Sequence, residues 1–300
     1  MPDFVLAVDI GGTNIRVARV SDTGRISHHL EAVTPPKGGA AVIDEVLKLL
    51  DQIPRQRVRA LGVDVPGVAY QNGDVWAPNI RAWKRFPLGG RLREHFPFPV
   101  VVDSDRNAFV VGESWKGVAR NCRDVVFVAV GTGIGAGILV DGRLLRGRHE
   151  LAGCIGWMAV RDEFLPQYKE IGCLESHAAG PGIGMAASSR LKRKLTGQDV
   201  TRLAREGNEA AQEIMRQAAC YLGMGLANLV SILDPEIIVL GGGVAAAGDL
   251  VLKVARQTMK QWAQPIAVRQ TRLVSSRLGG AASLLGIAKL AFDAGAAHCK

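Results

Sequence analysis

The stretch AVDIGGTNIRVARV, residues 7–20, interrupts what otherwise reads as one long apolar strand. Glycine weakens a strand interior and marks a bend or the close approach of another group to the backbone. Asp9, a residue type that strands avoid, stands just before Gly11, Gly12 and Thr13. The stretch therefore predicts a hairpin whose turn lies against a ligand.

This turn has a counterpart in the second half of the chain. When Gly12-Thr13 is aligned with Gly131-Thr132, a strand, a Gly-Thr turn, an apolar strand and a turn with Asp and Gly-Arg recur at nearly the same spacing. Because strands flank both copies, the repeat indicates an internal duplication. A third glycine run, Gly241–Gly243, also follows a predicted strand.

Three glycine turns after strands predict a site for phosphate groups, although each turn alone could be a plain hairpin turn. Glycine lets backbone N–H groups converge on a bulky anion, and the two threonines add hydroxyl donors. No turn matches the GxxxxGK[ST] loop, and the second lacks GxGxxG spacing. Asp9 then becomes an acidic group beside the phosphates, where Mg²⁺ can bridge the two. The candidate phosphate-binding residues are Asp9, Gly11, Gly12, Thr13, Asn14, Gly131, Thr132, Gly133, Gly241, Gly242 and Gly243.

The bulk composition narrows the class of protein. A chain of 300 residues predicts one large or two medium domains. No apolar run is long enough for a membrane span, and no basic, cleavable leader is evident, so we expect a cytoplasmic protein without a membrane partner. The net charge of +9 comes from dispersed residues. This dispersion argues against a nucleic-acid partner and suits an anionic small ligand.

The cysteines give a separate indication of compartment and metal content. They are odd in number and never at CxxC spacing, which favours reduced thiols over a disulfide framework or a complete zinc site. They are Cys122, Cys154, Cys173, Cys220 and Cys299.

Strand and helix patterns alternate along the whole chain, which is typical of an α/β protein with sheets covered on both sides. The predicted strands lie in a hairpin over 4–20 and near 25–33, 59–65, 98–103, 124–130 and 236–240. The predicted helices are 40–52, 105–117, 208–232, 249–263 and 279–293.

Seven motifs, in order along the chain, resemble the ROK family of bacterial sugar kinases, which belongs to the actin/Hsp70/hexokinase superfamily. They are DIGGTNIRVA, the Pro66-Gly67 turn, Asp105 with Asn107-Ala108, VAVGTGIGAGI, ELAGxIGxMxV, GCLE at 172–175 and LDPEIIVLGGGV. The resemblance runs from about residue 4 to 290.

The resemblance implies a two-lobed, actin-like α/β ATPase with duplicated ribonuclease-H-like domains and a cleft between the lobes. It places ATP and Mg²⁺ on the glycine turns and a sugar hydroxyl as the phosphoryl acceptor. The small N-terminal lobe would span 1–118 and the large lobe 119–283, with a last helix at about 284–298 packing back on the first lobe. Homodimers are common in the family, and no residue of this chain establishes one.

On the acceptor side, Asp105 matches the catalytic aspartate of the family, with a mere helix N-cap as the alternative. Asn79 in APNIRAW, Gly67 and Glu175 in GCLE match sugar contacts, against the alternatives of loop capping or surface charge. Ser104 stands where the family usually has asparagine.

Two departures from the family alter the predicted substrate pocket. Cys154 and Trp157 replace the glutamate and histidine of Glu-x-Gly-His, and of the CxCGxxGC motif only Cys173 remains. A four-ligand zinc site is therefore not expected. Each lost charge-assisted hydrogen bond to a sugar is worth on the order of 1.5–3 kcal/mol, so a glucose-like ligand would bind roughly a hundredfold more weakly.

We therefore predict an ATP-dependent kinase for a non-standard acceptor such as an amino sugar, a ketose or a cyclitol, with Trp157 free to stack on an apolar ring face. The alternative is a catalytically weak sensor of sugar or nucleotide with the same fold. Repressors of the family carry a helix-turn-helix region ahead of the first glycine turn. Since only eight residues precede Asp9 here, we do not expect direct DNA binding.

Overall fold

In the computed structural model, which describes residues 2–297, strands and helices alternate as the sequence predicts; Cys299 lies outside the described residues. The strands are β1 (Phe4–Ile10), β2 (Asn14–Ser21), β3 (Ile26–Val33), β4 (Val58–Val65), β5 (Val68–Ala69), β6 (Val75–Trp76), β7 (Val100–Ser104), β8 (Val125–Val130), β9 (Ile134–Val140), β10 (Arg143–Leu144), β11 (Ile237–Gly241) and β12 (Arg272–Ser275). The helices are α1 (Ala40–Leu50), α2 (Leu88–Arg93), α3 (Asp105–Lys116), α4 (Tyr168–Ile171), α5 (Cys173–Ala178), α6 (Gly180–Leu191), α7 (Gly197–Arg205), α8 (Glu209–Leu233), α9 (Asp249–Trp262), α10 (Ala267–Gln270) and α11 (Ala281–Ala297).

Two five-stranded sheets have the same strand order and the same strand directions. The first runs β3-β2-β1-β4-β7 and the second β10-β9-β8-β11-β12. In each sheet, three strands linked by hairpins are antiparallel, and the last two strands run parallel to the first strand of the repeat. The predicted α/β class and internal duplication are therefore confirmed.

The chain divides into two units, each built around one of these sheets. The first unit takes in the chain up to Asn121, the segment Arg146–Ala152 and the chain from Leu278 onward. The second unit comprises Cys122–Leu145 and Gly153–Arg277. The segment Arg146–Ala152 thus belongs to the first unit, whereas the prediction placed it within 119–283.

The central strands β1 and β4 of the first sheet are buried on both faces, as expected where a sheet is covered on each side. Leu6 and Val8 of β1 point into one apolar cluster, and Val5 and Ala7 into a second that includes residues of α11. Helix α11 packs tightly against α3: a Cβ atom at Gly286 would come within 1.7 Å of the Ala108 carbonyl oxygen. The parallel strand ends that carry Asp9 and Asp105 are held by this packing.

The core of the second unit is organised by α8, a helix of 25 residues. It begins at Asn208, whose Oδ1 accepts a hydrogen bond from the Ala211 N–H at 2.9 Å, and it ends where Asp234 adopts a left-handed conformation before Pro235. Buried residues of α8 such as Leu222 and Leu226 join one continuous apolar cluster with β8, β11 and α9. Within residues 2–297, none of the helices combines the length and apolar composition needed to cross a bilayer.

Candidate active site

The first glycine turn is closed by its own hydrogen bonds and by Thr34. The Gly11 N–H donates to the Asn14 carbonyl oxygen at 2.8 Å, and the Thr34 hydroxyl donates to the Gly11 carbonyl oxygen at 2.7 Å. Gly12 lies against Asn79, because a Cβ at Gly12 would be only 3.2 Å from the Asn79 Cβ. The fold thus brings the predicted phosphate turn, with Thr13 at its end, next to a predicted sugar contact.

Asp9 ends almost fully buried beside this turn, and two groups hold its carboxylate. The same oxygen, Oδ2, accepts from Arg16 Nη2 at 2.5 Å and from the Ser283 hydroxyl at 2.8 Å. Arg16 also donates to the Gly280 carbonyl oxygen at 3.2 Å. Arg16 partly neutralises the carboxylate that the sequence analysis predicts to lie beside phosphates.

Asp105 is the first residue of α3, and Ser104 is the N-cap. The Ser104 hydroxyl accepts from the Asn107 N–H at 3.4 Å, so the alternative that Asp105 is merely the helix cap is wrong. Asp105 Oδ1 accepts from the Arg106 N–H at 2.7 Å. Although part of Asp105 remains accessible, burial by the surrounding protein raises its pKa to about 7; the Arg106 charge opposes this shift and the Asp9 charge adds to it. Such a carboxyl group can take up a proton near neutral pH.

A third carboxyl group, Asp64, completes this cluster and was missed in the sequence. Asp64 lies in β4 in register with Asp9 of β1; it is fully buried, and neither carboxylate oxygen has a hydrogen-bond donor among the described residues. Burial raises the pKa of Asp64 well above its usual value, and the charges of Asp9 and Asp105 raise it further. When its carboxyl group is protonated, Asp64 can donate a hydrogen bond to Asp9. Aspartate in an apolar strand, the signal that pointed to Asp9, would also have found Asp64.

Asp103, the next in-register aspartate on β7, is neutralised by a distant arginine. Arg146 donates to Asp103 from Nη2 at 2.6 Å and from Nη1 at 3.1 Å, and Asn107 Nδ2 donates to the same carboxylate at 2.8 Å. Glu150 Oε2 lies 3.6 Å from Arg146 Nη1. These contacts hold the strand end that carries Ser104 and Asp105.

Gly67, a predicted substrate contact, lies in a turn that only glycine fits. Its φ angle is 130°, and a Cβ there would come within 2.2 Å of the Trp76 carbonyl oxygen. The Gly67 carbonyl oxygen accepts from Arg106 Nη2 at 3.3 Å. Gly67 is therefore linked to the residue that follows Asp105.

In the second unit, the two remaining glycine turns meet. The Val244 N–H donates to the Val130 carbonyl oxygen at 2.9 Å, and a Cβ at Gly242 would lie 2.5 Å from that same oxygen. No atom of the residues that the structure describes lies within 4 Å of where a Cβ at Gly131 or Gly243 would be, so both turns border open space there. A backbone cradle of this kind fits a phosphate group. The residues it comprises are Gly131, Thr132, Gly133, Gly241, Gly242 and Gly243.

The predicted substrate residues of the second unit also lie together. Glu175 Oε2 accepts from the Ile134 N–H at 2.7 Å, and a Cβ at Gly156 would lie 2.8 Å from it. Burial raises the pKa of Glu175, an effect that the Ile134 hydrogen bond opposes. Gly156 sits in a 3-10 turn with Cys154 at its start and Trp157 at its end; the Trp157 side chain is 53% exposed. An exposed indole beside a partly buried carboxyl can line a pocket for a polar ring.

An aromatic cluster occupies the region where the family would carry its zinc cysteines. The Tyr168 hydroxyl lies 2.6 Å from His177 Nε2, and the His177 ring stacks on Tyr221 with centroids 4.6 Å apart. Burial lowers the pKa of His177, and the Arg161 charge lowers it further. Across the described part of the chain, no three His, Cys, Asp or Glu side chains are grouped so that they could hold a metal ion.

The two sheets share one topology, a glycine turn follows each of β1, β8 and β11, and a carboxyl group stands at the start of α3. These features define an actin-like ATPase fold. The sequence comparisons agree with that class. The chain belongs to the ROK family, whose profile matches residues 5–294.

Three similar proteins illustrate the relationship. A glucokinase of Halalkalibacterium halodurans is 32% identical, over 94% of this chain and 93% of its own length. An N-acetylmannosamine kinase of Salmonella typhi is also 32% identical, over 95% of this chain and 97% of its own. The crystal structure of a ROK family glucokinase from Streptomyces griseus, in complex with glucose and AMPPNP, superposes with a TM-score of 0.82 at 30% identity and covers 97% of this chain and 99% of that one.

Proposed function

We propose that this protein transfers the terminal phosphoryl group of ATP to a hydroxyl group of a sugar or sugar-like polyol, with Asp105 as the general base. Family membership and its kinase relatives support the reaction class, an ATP-dependent carbohydrate kinase. The observation that carries the residue assignment is the position of Asp105, at the start of α3 beside Asp9 and Asp64, with a pKa of about 7.

The chemistry required of Asp105 is a single proton transfer. As the acceptor oxygen bonds to the γ-phosphorus and the bond from that phosphorus to the β–γ bridging oxygen breaks, the hydroxyl proton passes to the Asp105 carboxylate and ADP leaves. Asp105 then releases the proton to solvent. A base whose pKa lies near the working pH is largely deprotonated yet still basic enough for this role.

The glycine turns are assigned to the phosphates. The turns at Gly11–Thr13 and Gly131–Gly133, together with Gly241–Gly243, supply backbone N–H groups, and Gly131 and Gly243 border open space as a phosphate cradle requires. Mg²⁺ bound with the nucleotide would neutralise phosphate charge. Asp9 is the residue assigned to it, with its carboxylate fixed by Arg16 and Ser283.

We assign the phosphoryl acceptor to a class of sugars or polyols other than unmodified glucose. Cys154 and Trp157 stand where the family pattern carries a carboxylate and an imidazole, so two charged partners for sugar hydroxyls are replaced by a thiol and an exposed indole. Such a pocket favours a ring with an apolar face, such as an N-acylated amino sugar, or a ketose or cyclitol. Asn79, Gly67, Ser104 and Glu175 would supply the remaining polar contacts.

A coupled ADP-release assay over hexoses, hexosamines, ketoses and cyclitols tests the proposal, with Asp105→Asn as the control. We expect turnover on at least one member of the panel and its loss in the variant. Tight ATP binding without turnover on any polyol would instead identify a sensor of the same fold.

A further inference from the structure

A cavity of about 720 Å³ lies in the second unit between α9, α10 and the edge strand β12. We call it the α9–β12 groove. Apolar side chains, among them Met259, Val268 and Leu273, form part of its lining. Its volume falls within the range of small-molecule binding sites.

Four cations line this groove, and no acidic residue among those that the structure describes does so. They are Arg256 and Lys260 on α9, Arg269 on α10, and Arg272 at the start of β12. All four are exposed, and within residues 2–297 none forms an ion pair with a carboxylate. Elsewhere on this protein, surface arginines such as Arg123 and Arg216 do have carboxylate partners.

Glu236, an acid that the charge of Arg272 affects, is already engaged by other groups. The Arg272 charge contributes to lowering the pKa of Glu236, but the larger causes are the backbone N–H groups of Arg123 and Asp124. These donate to Glu236 Oε1 at 2.6 and 3.1 Å. The positive charge of the groove is thus left largely uncompensated.

The arrangement of the cations is mildly unfavourable by itself, and a bound anion would relieve it. Arg256 and Lys260 are four residues apart, so they are neighbours on one face of α9 and repel each other. Arg256 Nη2 donates to the Leu273 carbonyl oxygen at 2.9 Å, which holds its guanidinium at the groove wall. Favourable helix C-termini account for Lys260 and Arg269 in their last turns. Arg256 and Arg272 have neutral partners, since Arg272 Nη2 donates to Cys122 Sγ at 3.0 Å, so neither guanidinium charge is balanced by a carboxylate.

The groove begins at the end of β11 opposite the glycine turn. Arg272 pairs with Ile237 at the start of β11, whereas Gly241 ends that strand. At about 3.3 Å per residue, these two ends are about 13 Å apart. None of the residues Gly131–Gly133 and Gly241–Gly243 lines the groove, so the groove is distinct from the cradle assigned to the phosphates of ATP.

We propose that the α9–β12 groove binds a small organic phosphate with at least two negative charges. Guanidinium groups form paired hydrogen bonds with phosphate oxygens, and the apolar lining can contact the carbon skeleton. This inference does not depend on the activity proposed above.

Calorimetric titration tests whether the groove binds phosphates. The probes are inorganic pyrophosphate and fructose 1,6-bisphosphate, and the titrations are run at physiological salt with excess Mg²⁺ and AMPPNP present. The test variant is Lys260→Ala with Arg269→Ala. The matched control is Arg193→Ala with Lys194→Ala, which removes the same two residue types from an exposed segment outside the groove lining. Circular dichroism verifies that both variants fold.

We expect one molecule of at least one probe to bind per chain, an affinity at least tenfold weaker in the groove variant, and a change within twofold in the control. Equal weakening in both variants would mean general attraction to a basic surface and would overturn the proposal. No binding of either probe at millimolar concentration would overturn it as well.

Discussion

Asp64 and Asp9 stand in register on adjacent parallel strands, and within residues 2–297 no group donates a hydrogen bond to the buried Asp64 carboxyl. The two carboxyl groups differ in their support. Asp9 is held by Arg16 and Ser283, whereas Asp64 is surrounded by protein and by the charges of Asp9 and Asp105. A buried charge without a partner is unfavourable, so Asp64 favours its neutral form.

The substitution Asp64→Asn, which keeps the shape and removes the titration, should stabilise the protein more at pH 8 than at pH 5. Because the pKa of Asp64 is raised in the folded state, the wild type loses stability as pH rises from the unfolded-state pKa through the folded-state pKa. The gain at pH 8 should be on the order of 1–3 kcal/mol. Urea denaturation at both pH values measures it, with Asp44→Asn on the exposed face of α1 as control. A variant equally destabilised at both pH values would show that Asp64 is ionised in the folded protein.

The rate of phosphoryl transfer should rise with pH and level off above about 7. Burial raises the pKa of Asp105 to about 7, and only the deprotonated carboxylate can accept the hydroxyl proton. Asp105→Asn should lower kcat by about 10²–10⁴-fold and leave ATP affinity nearly unchanged. Steady-state rates from pH 5.5 to 8.5 and nucleotide titrations provide the measurements; a flat wild-type profile would contradict the assignment of Asp105 as base.

Arg146→Ala should destabilise the first unit by about 2 kcal/mol, since it leaves the buried Asp103 carboxylate without its main cationic partner. Asn107 and the Ser104 N–H still donate to Asp103, which limits the loss. Arg123→Ala is the comparison, because it removes a similar contact to Asp141 in which both side chains are exposed; that change should cost less than about 1 kcal/mol. Equal losses in the two unfolding curves would mean that the burial of Asp103 is not important.

The double substitution Cys154→Glu with Trp157→His should raise kcat/KM for glucose by at least about tenfold. It restores two charged or polar partners for sugar hydroxyls, each worth on the order of 1.5–3 kcal/mol. Cys154→Gln with Trp157→Asn is the matched control, similar in polarity but without the carboxylate and imidazole. If both double variants gain equally on glucose, the charge of the lost residues does not set the acceptor preference.

Most regular elements follow from local patterns in the sequence. The hairpin at β1 and β2 was predicted because two apolar runs flank a glycine turn within one short stretch of sequence. Helix α8 was predicted because its apolar periodicity extends over 25 residues. The sequence analysis did not predict α4 to α7 or β12. Helices α4 and α5 are short and separated by Gly172, and α6 carries glycine and proline in its first turns. Strand β12 has only four residues, most of them not buried.

The candidate site also contains features that local sequence patterns reveal and contacts that they do not. Asp9, Asp105 and the glycine turns were identified because each breaks a local rule: a carboxyl group or glycine in or just after an apolar strand. Asp64 breaks the same rule but was passed over. By contrast, no local pattern joins Arg146 to Asp103 or Ser283 to Asp9, since each pair is separated by tens to hundreds of residues.

By itself, the sequence determined the α/β class, the duplicated strand pattern and the positions of the glycine turns, because these depend on the order of polar and apolar residues within short segments. The tertiary structure alone decided which carboxylates are neutralised, which one stays without a partner among the described residues, and that α11 meets α3 where Gly286 lies against Ala108. Those outcomes depend on which segments meet in space, and the energy of a buried charge is set by its neighbours there and not by its neighbours along the chain.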